Sequence, residues 1–150
     1  MAREINMDTK ELVLAALSTA GGEKLTPVQV QKLFFLIDRN ISDLVGGAKF
    51  QFKPYHYGPF DSAVYRTLDK LVREGLAERV QDVSWTSFRL TVDGQREGKR
   101  HFDEMDPKAA DYIRRVSEFV RTRSFGALVS AIYQAYPDMS EKSVFRGSPA

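Results

Sequence analysis

The stretch "LTPVQVQKLFFLIDRN", residues 25–40, constrains the fold more than any other. Thr26 suits an N-cap, Pro27 the first helical position and Gln29 the reciprocal cap, so a helix is expected to begin here. Val30, Leu33, Phe34 and Ile37 recur at helical spacing, and Phe35 and Leu36 widen the stripe. A helix apolar over so much of its girth belongs in a core, covered by other elements.

The rest of the chain supplies that cover. Asp8 followed by Glu11 resembles a capping box, and Leu12, Val13, Ala16 and Leu17 continue as a helix that Gly21-Gly22 stops. "ISDLVGG" reads as one short helix ended by Gly46-Gly47, and the alternating "KFQFK" as a short strand. Gly58-Pro59 marks a turn, and a helix starts at Phe60 or Asp61. Its inner face is Val64, Leu68, Leu71 and Val72, and Glu74-Gly75 ends it. "LAERV" and "SWTSFRLTV" predict a hairpin with Asp82 in its loop. "DGQREGKRHFDEM" predicts a polar helix despite Gly94 and Gly98. Asp106-Pro107 opens another helix with Ala110, Ile113, Val116 and Val120 inward, and Ser124 opens a last one closed by Pro137. No repeat or linker interrupts this order. The expected fold class is mainly α: one compact helical domain over residues 1–150 with a small β-hairpin.

Composition narrows function by exclusion. A chain of 150 residues buries about 70% of its unfolded surface and needs no disulfide or metal staple. It has no cysteine, so thiolate catalysis, Cys-ligated zinc and disulfides are all excluded. Two histidines, His56 and His101, would have to meet and recruit carboxylates to hold a metal. No nucleophile elbow, phosphate loop or zinc-protease motif is present. The expectation is a non-enzyme with no cofactor and no metal site. "MAREINMDTK" lacks an apolar signal-peptide core and no apolar run reaches membrane-span length, so the expected location is the cytoplasm, away from membranes. Twenty-two basic against twenty acidic residues leave a net charge of +2. Nucleic-acid binding would therefore rest on local clustering.

Such a cluster exists. The order of three helices, a two-stranded hairpin and a further helix resembles a winged-helix domain, most specifically in "VYRTLDKLVREGLAERV". Around that third helix, Ser62, Arg66, Lys70 and Arg73 fall opposite the apolar face. They could offer donors to base edges and cations to phosphates, with Arg89 of the hairpin touching the DNA backbone. Asp69 and Glu74 flank the face and oppose a phosphate backbone. An ordinary solvated face has the same pattern. The cluster of Arg96, Lys99, Arg100, Arg114 and Arg115 is interleaved with Glu97, Asp103 and Glu104 and reads as solvation.

The second concentration of chemistry is "FQFKPYHYGPF", with six rings in residues 50–60. Gly58 tolerates a backbone angle that other residues resist, and Pro59 fixes the next one, so Tyr57-Gly58-Pro59 is expected to form a rigid corner aiming the following helix. Phe50, Phe52 and Phe60 are expected beneath the corner as core. Tyr55, His56 and Tyr57 each join an apolar body to a polar tip, the chemistry of binding interfaces. The alternative for these three is a boundary cluster whose hydroxyls bond nearby backbone.

Taken together, Gln31-Lys32-Leu33, then Tyr57-Gly58-Pro59 and then Tyr65 at the start of the next helix resemble the Panacea domain, which includes the SocA-like antitoxins. The resemblance covers roughly residues 25–76. After Ser124, "LVSAIYQAYPDMSEKSVF" is similar to the end of bacterial proteins of the YwgA type. The resemblance implies a non-catalytic antitoxin-type module that binds and neutralises a protein toxin partner. The contact would then involve Tyr55, His56, Tyr57 and Tyr65, with the outward face of the Ser62–Arg73 helix. A winged-helix transcription regulator that binds DNA is the other expectation.

Overall fold

The computed structural model describes residues 7–145. Helix α1 spans Thr9–Ser18 and opens with a complete capping box. Asp8 accepts from the Glu11 N–H at 2.8 Å and donates its own N–H to the Glu11 carboxylate at 3.0 Å. Helix α2 spans Pro27–Ile41 and repeats the device with Thr26 and Gln29. Every residue from Val30 to Ile37 is buried, as the apolar stretch requires. Every residue from Leu12 to Ser18 is buried as well, so α1 shares the centre with α2. A 3-10 turn, Ser42–Leu44, continues α2.

Strand β1, Lys53–Tyr55, pairs antiparallel with β2, Gly58–Phe60. Helix α3, Ser62–Arg73, follows at once, capped by Asp61. Strands β3, Ala77–Gln81, and β4, Thr86–Leu90, form a second antiparallel hairpin with Glu78 opposite Arg89. Backbone bonds between Leu25 and Phe88, 2.8 and 3.0 Å, tie this hairpin to the start of α2. Helices α4, Val92–Asp103, α5, Pro107–Thr122, and α6, Phe125–Ala135, complete the cover, and a 3-10 turn at Pro137–Ser140 leads away. The protein is mainly helical with small antiparallel hairpins. The order α1, α2, α3, β3, β4, α4 is the one expected from the sequence. Among the described residues no helix is long and apolar enough to cross a membrane.

Three expectations need correction. Residues 49–52 are not a strand. Asp38 accepts the Lys49 and Phe50 N–H groups at 2.9 and 2.8 Å, and Asp61 accepts the Gln51 N–H at 2.7 Å. Side chains thus take the donors that a strand partner would need. The alternation arises because Phe50 is buried and Phe52 packs against the core from a loop. Next, Tyr57-Gly58-Pro59 is not a simple corner but part of the β1–β2 hairpin, with His56-Tyr57 as its two-residue loop. Finally, the inner face of α5 is Ala109, Ile113, Ser117 and Val120; Ala110 and Val116 lie at its edge.

The two glycines of α4 have a packing role. A Cβ at Gly94 would lie 1.7 Å from the Leu76 carbonyl oxygen, and one at Gly98 would lie 2.3 Å from that of Leu14. Their absent side chains let α4 close onto α1 and onto the approach to β3.

Candidate functional site

The β1–β2 hairpin is held from beneath by two consecutive residues of α2. The Gln31 side chain accepts from the Asp61 N–H and donates to the Asp61 carbonyl, both at 3.0 Å. Lys32 is 1% exposed. Its ammonium donates to the Tyr57 carbonyl at 2.5 Å. Burial pushes its pKa down to about 7, because desolvation disfavours the charged form. The two sequence signals lie 25 residues apart, yet they meet as one clasp: Gln31-Lys32 holds the turn from Tyr57 to Asp61. Gly58 is required there. Its φ is +109°, and a Cβ on it would meet Lys32 Nζ at 3.2 Å. Pro59 is buried next to it and lies opposite Pro54 in the register.

The clasp presents the rings at the turn outward. Tyr55 is 49% exposed and Tyr57 43%. His56 is exposed and stacks on Tyr55, with centroids 4.1 Å apart and planes 8° from parallel. Among the described residues neither the Tyr55 nor the Tyr57 hydroxyl has a protein partner, unlike the alternative in which they bond nearby backbone. The C-terminal segment braces the loop instead through its backbone: the His56 carbonyl accepts from the Val144 N–H at 2.9 Å and the Tyr133 hydroxyl at 3.5 Å. Tyr65 is not part of this exposed set. Its ring lies between Phe60 and Phe88, its hydroxyl reaches the Pro27 carbonyl at 3.5 Å, and burial raises its pKa.

The proposed DNA-reading residues have mixed surroundings. Ser62, Arg66, Lys70 and Arg73 are all exposed on the outward face of α3. Arg66 donates to Ser62 Oγ at 2.7 Å. The acids flanking this face are neutralised: Asp69 pairs with Arg79 at 2.6 Å and Glu74 with Lys10 at 2.5 Å. Arg89 is bound to Glu78, its cross-strand neighbour, at 2.5 Å. A cleft of about 670 Å³ joins the face to the aromatic turn, with Lys53, Tyr55, Phe60 and Arg66 in its walls.

Sequence reasoning missed the surface on the other side of the turn. There, Tyr57 meets Phe125 of α6 edge-on at 5.1 Å. Trp85, in the β3–β4 loop, joins them around a second cleft of about 720 Å³. Exposed aromatics isolated in a loop and at a helix start are the only signal in the sequence.

The histidines do not build a metal site. His101 Nδ1 lies 3.5 Å from Glu11 of α1, while His56 stands on the hairpin. Among the described residues no three of His, Asp and Glu converge as a metal would need. Compared with protein-family models, curated proteins and solved structures, the chain matches none.

Proposed function

We propose that the protein is a non-catalytic interaction module of the antitoxin type, which binds and neutralises a protein toxin. The observation that carries the reading is the exposed turn Tyr55-His56-Tyr57, stiffened by the buried Gln31–Lys32 clasp. Rings whose hydroxyls have no partner among the described residues, on a pre-ordered loop, bind with little loss of conformational freedom, which is how interfaces concentrate their energy. The sequence resemblance to the Panacea domain points the same way and supplies the kind of partner. The test is affinity purification from the native host at low salt, with mass spectrometry and the 260/280 nm ratio of the eluate. A stoichiometric protein encoded beside this chain, without nucleic acid, is the expected result. A nuclease-sensitive eluate without such a partner contradicts it.

A specific observation favours a second reading, a winged-helix DNA regulator. Arg66, Lys70 and Arg73 are exposed and have no carboxylate bound to them among the described residues, while Asp69 and Glu74 are occupied by other cations. Arg89 does not fit this reading as a free phosphate contact, since Glu78 holds it. Both readings are compatible with one molecule that neutralises a partner and represses its own genes.

A further inference from the structure

We propose that the cleft beside Tyr57 receives one apolar, ring-bearing side chain of the protein partner, with a carboxylate adjacent to it in sequence meeting Arg123. This rests on the reading of the protein as a protein-binding module and adds the chemistry of what it binds.

Three features carry the inference. The first is size and shape: a cleft of about 720 Å³ falls in the range of pockets that enclose a ligand, about 300–1,000 Å³. The second is the wall. Trp85 and Phe125 are each 48% exposed and Tyr57 is 43% exposed, yet all three border this one hollow, with Pro27 and Leu128 also lining it. Large rings left half in water around a concave surface gain free energy when another apolar group displaces that water. The third is charge. Arg123 is the only charged residue among the described residues lining the cleft. Its guanidinium lies 3.8 Å from the centre of the Phe119 ring, and Nη1 donates to the Phe119 carbonyl at 3.5 Å. No carboxylate pairs with it among the described residues. A guanidinium oriented by a ring, with donors remaining in its fork, is suited to a carboxylate.

Nucleic acid fits the cleft poorly, because a phosphate backbone calls for several cations. The occupant that satisfies both wall and rim is a peptide segment with an aromatic residue next to Glu or Asp. Ring and carboxylate would reach Trp85 and Arg123 together.

The chain's single tryptophan lies in the wall, so its one indole N–H resonance reports occupancy. The probe is the acetylated, amidated dipeptide Phe-Glu, titrated into the protein while ¹H–¹⁵N spectra are recorded. The comparison peptide is Phe-Gln, and phenylacetate serves as a free aromatic carboxylate. A saturable shift of the indole signal is expected with Phe-Glu. Affinity should fall about threefold or more with Phe-Gln, and by a similar factor in Arg123→Gln, as expected for loss of one exposed ion pair. Phe125→Ser, a change at an exposed ring, should weaken both peptides alike. Unchanged spectra elsewhere establish that the variants remain folded. The proposal is overturned by any of four results: no saturable shift, equal affinity for Phe-Glu and Phe-Gln, phenylacetate binding at least about tenfold more tightly than the peptide, or an indole shift on simple dilution. The last would assign the cleft to a second copy of the chain. If the peptides fail while a protein partner still co-purifies, the cleft proposal falls and the interaction reading stands. If the peptides bind but no protein partner co-purifies, the cleft's preference for a ring beside a carboxylate stands, and the assignment of that segment to a toxin falls with the antitoxin reading.

Discussion

Lys32 sets the character of the aromatic turn. An ammonium so deep in a protein is costly, and its one hydrogen bond among the described residues is to the carbonyl of Tyr57, the residue it helps present. Its folded pKa of about 7 lies below the ordinary 10.5. Between those values the unfolded chain holds a proton that the folded chain does not, so stability rises with pH across that window. Below pH 7 both states are protonated and the contribution is flat. Urea unfolding measured upward from pH 7 toward 10.5 should show this rise in the wild type. Lys32→Met should flatten it, by up to about 1.4 kcal/mol per pH unit. Identical pH profiles for the two proteins would show that Lys32 keeps its proton in the fold. The same residue shows where sequence reasoning stops. Lys32 entered the sequence reading only within Gln31-Lys32-Leu33, and its contact with Tyr57 spans 25 residues, so no local pattern encodes it. Gly58 was legible because its backbone need is local. That Tyr65 is half-buried was not legible, because its ring partners, Phe60 and Phe88, come from different elements.

The helices were legible at the level of elements because their start signals lie within a few residues of one another. Asp8 with Glu11, Thr26 with Gln29, Asp106 with Pro107, and Ser124 each begin a helix where expected. The β1–β2 hairpin was not legible. Its strands are three residues long, and the alternation preceding it belongs to a loop held by Asp38 and Asp61. In α4 the glycines looked like defects but are contact points. Exposed helical glycines usually gain about 1 kcal/mol on replacement by alanine. Here the added methyl would strike a backbone oxygen of Leu76 or Leu14. Gly94→Ala and Gly98→Ala should therefore each lose stability, by roughly 1–3 kcal/mol, measured by urea denaturation. A gain in either variant would mean that α4 does not pack so closely.

Over the whole molecule, α2 joins the core to the function proposed for the surface. One side of it fills the centre, and Gln31 and Lys32 fasten the hairpin that carries the exposed rings. The basic face of α3 and the aromatic turn border the same cleft, so the two readings separate by physics more than by location. If Arg66, Lys70 and Arg73 bind DNA through several phosphates, affinity should fall by orders of magnitude between about 50 and 200 mM salt. Their joint replacement by glutamine should abolish that binding in an electrophoretic shift assay. A protein contact centred on Tyr55 and Tyr57 should vary little over the same range, and retained shifts in the triple variant would remove α3 from the DNA reading.

The most direct measurement is the affinity of a protein partner recovered by the co-purification proposed above, for the wild type and for the double variant Tyr55→Ser, Tyr57→Ser, with circular dichroism confirming that both are folded. Two exposed anchors at the centre of an interface should together contribute roughly 2–4 kcal/mol. A docking surface at this turn thus predicts a loss in affinity of at least about thirtyfold. Undiminished binding by the folded double variant would contradict it and place the contact elsewhere on the molecule.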